Sequence, residues 1–132
     1  MAESIARREA SDVLEPSSAG LYPLGRISER TEETLRANGY STEGLSSKSM
    51  DSGVVAGVDL IVNLSGISLG GLFGGRLGLV SGLQSGQIVE DWEIADPYGE
   101  DAATYQRILE EIELRIHQLA RRYRTKTKAA GA

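Results

Sequence analysis

The 132-residue sequence contains no cysteine, which excludes disulfide bonds, thiolate metal sites and a cysteine nucleophile within these residues. His117 is the only histidine. It falls among the polar positions of a helical pattern, so we expect a surface residue rather than a catalytic one. Five acidic residues cluster late in the chain: Asp91, Glu93, Asp96, Glu100 and Asp101. They lack the spacing of a calcium loop, and we expect neither a metal nor a cofactor.

Long apolar runs are also missing. No stretch approaches the roughly 18 residues that a membrane span needs, and the amino terminus lacks the apolar core of a signal peptide. We therefore expect a cytoplasmic protein without a membrane partner. A net charge of −5 argues against nucleic acid as a partner, because phosphate binding needs a surplus of cations. The basic residues from Arg115 to Lys128 are interpreted as a solvated helix end followed by a frayed tail.

The residues that are present predict one α/β domain over 1–132. At 40% hydrophobic and 25% charged residues, the composition is that of an ordinary folded domain. Periodicity and capping signals predict three helices and three strands, and this alternation is typical of a mostly parallel sheet layered with helices. The predicted helices are Met1 to Ser11, Ser28 to Asn38 with Gly39 following, and Asp101 to Tyr123; the predicted strands are Val13 to Glu15, Asp59 to Leu64 and Ile88 to Ile94.

The middle of the chain is the least regular part. Residues 46–50 are predicted to form a loop that leads into a short helix near Asp51 to Gly57. Gly66 to Gly86 contains eight glycines among several leucines. Its spacing fits neither a Walker loop nor a dinucleotide fingerprint, so we expect a covering loop or a weak helix rather than a phosphate site.

Asp96 is the candidate functional residue that the pattern itself suggests. It follows the predicted strand Ile88 to Ile94, and parallel α/β sheets bind ligands at the carboxyl ends of their strands. Pro97 biases the preceding residue towards an extended conformation, which would hold the carboxylate in one direction. A general acid and a simple turn-former are both consistent with Asp before Pro.

Several short motifs resemble the low-molecular-weight protein tyrosine phosphatases and their arsenate-reductase relatives. They occur in the family's order and cover the chain apart from Gly66 to Gly86. The motifs are Met1-Ala2-Glu3, Ser18-Ala19-Gly20, Asn38-Gly39-Tyr40, Ser47-Lys48-Ser49-Met50, Asp59-Leu60-Ile61 and Asp96-Pro97-Tyr98-Gly99.

The resemblance implies a flavodoxin-like, three-layer fold and hydrolysis of a phosphomonoester through a phosphocysteine intermediate. Asp96 would be the general acid, Tyr98 would flank the entrance to the site, and Ser18 would support the phosphate loop by hydrogen bonding. The substrate of a complete form would be a phosphorylated protein or a small phosphoester.

The sequence departs from the family at its start. In relatives, the C-x5-R phosphate loop is followed directly by the Met1-Ala2-Glu3 motif, so the resemblance implies that the first strand, the cysteine and the arginine lie upstream. We therefore expect an incomplete domain that is inactive as it stands. Strands without their usual neighbour would also favour marginal stability or self-association.

Two other interpretations remain open. The chain could be a non-catalytic relative that serves as a binding or regulatory module. It could also be an unrelated small α/β module in which Asp96 only forms a turn. Antiparallel pairing around Asp59 to Leu64 would contradict both family interpretations.

Overall fold

The computed structural model describes residues 1–18, 28–45, 57–64 and 87–131, with side chains described as far as Thr125. Among these residues, contacts define two units. The helical unit comprises residues 1–18, 28–45 and 97–131, and the strand unit comprises 57–64 and 87–96. The predicted loop at 46–50, residues 51–56 of the predicted short helix, and the glycine-rich segment 66–86 lie outside the described residues.

The helical unit contains α1 (Ala2–Glu9), α2 (Glu29–Ala37) and α3 (Ala102–Gly131). Helix α1 agrees with prediction, but the strand predicted at Val13 to Glu15 is wrong. The amides of Val13 and Leu14 both donate to the carbonyl of Ala10, at 3.1 and 2.8 Å. These residues therefore close a turn at the end of α1, and their N–H groups are not offered to a neighbouring strand.

Both predicted ends of α2 are confirmed. The Ser28 hydroxyl accepts a hydrogen bond from the Thr31 amide at 3.2 Å, which satisfies one of the N–H groups that a helix start leaves unpaired. At the other end Gly39 has a φ of +80°, and the amides of Gly39 and Tyr40 donate to the carbonyls of Arg36 and Leu35. This pattern is a Schellman motif, whose left-handed position favours glycine.

Apolar residues recur at three- and four-residue intervals along the last predicted helix, which predicts one apolar stripe, and α3 carries it. Six residues at three- and four-residue intervals are each no more than 6% exposed: Tyr105, Ile108, Leu109, Ile112, Ile116 and Leu119. Helices α1 and α2 pack on α3 and contribute the fully buried side chains of Ile5 and Leu35. Burial of each such side chain stabilises the unit by roughly 1.5–3 kcal/mol, so α3 is its central element. The helix extends to Gly131, beyond the predicted end at Tyr123.

Polar side chains also tie α3 to its neighbours. Asn38 and Gln106 exchange two amide hydrogen bonds of 2.7 and 2.9 Å. The Tyr40 hydroxyl donates to the Glu113 carboxylate, and the Arg8 guanidinium lies 5.3 Å from the centre of the Tyr40 ring. Burial and the adjacent carboxylate raise the pKa of Tyr40 well above its usual value, so its hydroxyl stays protonated and remains the donor.

The strand unit contains β1 (Leu60–Asn63) and β2 (Ile88–Asp91), which pair in parallel. Leu60 lies opposite Ile88 and Asn63 lies opposite Asp91. The amide of Trp92 donates to the carbonyl of Asn63 at 3.0 Å, which continues the ladder one residue past β2. Parallel pairing confirms the predicted strand direction and contradicts an antiparallel arrangement of the Asp59 to Leu64 segment.

In the described part of the chain, no helix combines the length and the apolar character that crossing a membrane requires. The prediction that residues 1–132 form a single domain stays a prediction.

Candidate active-site loop

Asp96 is the last residue of the strand unit, and the Pro97 to Glu100 segment after it forms a turn that leads into α3. The carbonyl of Pro97 accepts a hydrogen bond from the amide of Glu100 at 2.9 Å. Gly99 occupies the third position of this turn with a φ of +83°, which is the conformation that a type II turn requires there. A Cβ at Gly99 would meet nothing within 4 Å, so glycine serves the backbone conformation rather than a close contact.

Asp101 begins α3 directly after this turn. Its carboxylate accepts a hydrogen bond from the Thr104 amide at 2.9 Å, and its carbonyl accepts one from the Tyr105 amide at 3.1 Å. Asp101 is therefore the N-cap of α3. Hydrogen bonding by Thr104 keeps the pKa of Asp101 below its usual value, because those bonds favour the ionised form. The cap fixes the start of α3 directly after the turn formed by Pro97 to Glu100.

Of the three predicted site residues, Tyr98 lies on this turn and Asp96 directly precedes it. Asp96 is exposed, and Tyr98 is 67% exposed. Pro97 lies between them, and it restricts its own φ and the backbone conformation of Asp96. Each of the two side chains is thus exposed to solvent within its own unit, Asp96 in the strand unit and Tyr98 in the helical unit.

Ser18, the third predicted site residue, lies in the helical unit next to the start of α1. Its hydroxyl donates to the Glu3 carboxylate at 2.6 Å. Glu3 is only 4% exposed and also forms an ion pair with Arg7 one turn along the helix. The Ser4 hydroxyl beside it donates to the carbonyl of Ser41. Removing one partner of a buried polar hydrogen bond costs free energy. The bond to Glu3 therefore holds Ser18 against the first turn of α1.

Sequence reasoning did not assign a site role to Glu3 or Asp101. The spacing of Glu3 and Arg7 is that of a helical ion pair, and Asp101 stands three residues before Thr104, as an N-cap does. These local signals could have identified both residues. Among residues 1–18, 28–45, 57–64 and 87–131, no group of three or more His, Asp or Glu residues is arranged to hold a metal ion.

The sequence matches the family profile described as low molecular weight phosphotyrosine protein phosphatase over residues 1–129. No curated protein matches the chain. Similar solved structures include an arsenate reductase in its reduced state, with 19% identity and a TM-score of 0.67, covering 92% of this chain and 86% of that one.

Two further structures have a similar likeness. The tyrosine phosphatase Wzb from Escherichia coli, in complex with sulphate, has 18% identity and a TM-score of 0.68, with 92% of this chain and 86% of that chain covered. An arsenate reductase from Archaeoglobus fulgidus has 24% identity and a TM-score of 0.63, with 90% and 86% covered. This likeness confirms the predicted flavodoxin-like α/β fold.

Proposed function

Because this chain belongs to the low molecular weight phosphotyrosine protein phosphatase family, we propose that its 132 residues supply the leaving-group acid of a phosphomonoester hydrolase but no nucleophile. One observation carries the proposal. The Asp96 side chain is exposed to solvent, whereas the sequence contains no cysteine to form a phosphocysteine intermediate. The substrate is a phosphorylated protein or a small phosphoester, and the proposed location is the cytoplasm.

The geometry favours Asp96 over Asp101 as the proton donor. Asp101 is committed to capping α3, and its lowered pKa makes its protonated form scarcer. A general acid must carry a proton when the substrate binds, so a carboxyl held in the ionised form is unsuited to the role. Asp96 is not part of this cap and follows the end of β2 by five residues, and α/β proteins place catalytic groups in the loops after parallel strands.

Tyr98 and Ser18 have supporting roles in this proposal. The exposed ring of Tyr98 can pack against the aryl group of a phosphoester, because offset ring contacts contribute roughly 0.5–1.5 kcal/mol beyond area burial. Ser18 would support a phosphate loop at the start of α1 as a hydrogen-bond acceptor, because its proton is donated to Glu3 and its oxygen keeps its lone pairs.

Without a nucleophile, these residues cannot hydrolyse a phosphoester. A proton donor acts on the leaving oxygen only after an attacking group and an anion-binding cradle have fixed the phosphorus centre. We therefore expect the 132-residue chain to show no turnover of a chromogenic aryl phosphate above background.

The decisive experiment compares this chain with a version that carries an added amino-terminal segment, a β-strand ending in C-x5-R, joined directly before Met1. The extended protein should hydrolyse the aryl phosphate. Asp96→Asn in that protein should lower kcat by about 10²- to 10⁴-fold, the usual contribution of a general acid. The effect should shrink for esters whose leaving group needs no protonation.

The matched control is Asp101→Asn in the same extended protein, since it removes the same charge five residues away. Its activity should stay within a few-fold of the parent. Turnover by the 132 residues alone would refute the missing-nucleophile proposal. Equal losses from the two substitutions would refute the assignment of Asp96 as the acid.

A non-catalytic binding module is the second candidate, and the absence of cysteine is the observation that favours it. This role requires a well-folded chain that forms reproducible complexes without any turnover. Pull-down with the purified chain tests it, and sedimentation at several protein concentrations tests the proposed self-association. A chain that unfolds or aggregates under these conditions would count against this role.

A further inference from the structure

A shallow groove of about 590 Å³ runs between the end of α1 and the carboxyl-terminal half of α3. It is lined by Glu9, His117, Arg121, Arg124 and Thr125, all of which belong to the helical unit. The phosphatase proposal uses none of these residues. Two arginines and an imidazole around one depression form a set of side chains suited to an anionic group.

One of the two arginines is already neutralised. The Arg124 guanidinium donates to both carboxylate oxygens of Asp12, at 2.7 and 2.8 Å, and to the carbonyl of Glu9 at 2.8 Å. His117 Nε2 lies 3.4 Å from the Glu9 carboxylate. These contacts fasten the end of α1 to α3 and give the groove a fixed wall.

Arg121 is the cation that remains available in the groove. It is exposed, and its guanidinium has no ion-pair partner among the residues with described side chains. The Thr125 hydroxyl one turn along donates to the Arg121 carbonyl, so the oxygen of Thr125 can still accept. The groove therefore combines a fixed wall with one uncommitted positive charge.

The distribution of charge along the chain reinforces this local picture. Six of the 14 Lys and Arg residues follow Glu113, whereas none of the 19 Asp and Glu residues does. The carboxyl-terminal half of α3 is thus strongly positive in a protein whose net charge is −5. Such a separation of charge steers an acidic partner towards one end of the molecule.

We propose that this groove is a docking surface for an acidic peptide segment of a partner protein, with Arg121 as its principal anchor. A peptide fits the mixed lining better than a polyphosphate, because a peptide has backbone N–H groups that can donate to the Glu9 carboxylate while its acidic side chains meet Arg121. A membrane surface would need an apolar face, and Leu114 is the only large apolar residue exposed on the described part of α3.

The sole histidine makes the test direct, because the imidazole signals in a proton NMR spectrum report this groove alone. Titration of the 132-residue chain with a short glutamate-rich peptide should shift the His117 ring protons in a saturable manner. Arg121→Gln should weaken the apparent affinity by about fivefold or more, because it removes a charge-assisted contact. Arg121→Lys should retain part of the binding.

Arg107→Gln is the matched control, since Arg107 is also exposed on α3 but lies outside the groove. It should change the affinity by less than twofold, and circular dichroism should show equal helicity in all variants. No shift of the His117 signals at millimolar peptide, or equal effects at Arg107 and Arg121, would overturn the proposal. A stronger response to a single-stranded oligonucleotide or an anionic vesicle would also overturn it.

Discussion

The helical unit and the strand unit are specified by different kinds of information. In the helical unit each helix end is marked by nearby residues, such as the Ser28 cap and the Gly39 Schellman motif. In the strand unit the defining interaction joins β1 to β2, which are 28 residues apart at the Asn63 and Asp91 pair. The first kind of signal can be read from a few adjacent residues, whereas the second cannot.

The two units also differ in how their polar groups are used. Side-chain hydrogen bonds connect all three helices, through Asn38 with Gln106 and Tyr40 with Glu113 among others. Between β1 and β2 the corresponding side-chain bond runs from Asn63 to Asp91 at 3.2 Å. Burial of apolar side chains and side-chain hydrogen bonds should therefore contribute most to the stability of the helical unit. The stability of the strand unit should depend mainly on the correct pairing of β1 with β2.

The largest expected effect tests apolar burial in the helical unit. Leu109 is fully buried on α3, so Leu109→Ala should lower the free energy of unfolding by about 2–5 kcal/mol. Leu114→Ala is a matched control on the same helix, because Leu114 is 57% exposed and should change stability by less than about 0.5 kcal/mol. Chemical denaturation measures both. Similar losses at the two positions would show that helix propensity, rather than packing, stabilises this unit.

The next effect tests register in the strand unit. Asn63 is 5% exposed and donates to Asp91, so Asn63→Asp should place two carboxylates opposite each other and cost about 1–3 kcal/mol at neutral pH. Combining it with Asp91→Asn exchanges donor and acceptor and should restore most of the stability. If the double variant is no more stable than Asn63→Asp alone, the parallel register is wrong.

The smallest effect concerns the pair between Asp12 and Arg124. Hydrogen bonding by Arg124 lowers the pKa of Asp12 below its ordinary value of about 3.8. A carboxyl with a lowered folded-state pKa adds stability above the unfolded-state value, and that stability disappears as the pH falls through the folded-state value. The difference in Tm between the parent and Asp12→Asn should therefore be present near pH 6 and narrow below about pH 4.

Asp12 and Arg124 are exposed, so a modest difference is expected. The same comparison in an Arg124→Gln background should show no narrowing with pH. Persistence of the pH-dependent difference in that background would mean that another group perturbs Asp12.

Most of the features that were predicted correctly from the sequence depend on residues that are close together in the chain. The apolar stripe of α3, the cap of α2 and the position of Asp96 after a parallel strand were all predicted. The error at Val13 to Glu15 has a physical cause. A short apolar run forms a strand only if a neighbour takes its amides, and here the Ala10 carbonyl accepts two of them.

The contacts that shape the candidate site and the groove could not be predicted in the same way. Ser18 meets Glu3 across 15 positions, and Asp12 meets Arg124 across 112. Nothing in the local pattern marks such pairs, because folding brings them together only after the helices have packed. The resemblance implied that Ser18 supports a phosphate loop by hydrogen bonding, which stays a prediction, and the hydrogen bond from Ser18 to Glu3 was not predicted.

The hydrogen bond from Ser18 to Glu3 determines whether Ser18 can donate or accept in any further hydrogen bond. A serine hydroxyl has a single proton, and the buried carboxylate already receives it. Whatever backbone approaches the open side of that oxygen must therefore bring an N–H group of its own. A carbonyl oxygen at that position would be repelled, because its lone pairs would face the two lone pairs of the Ser18 oxygen.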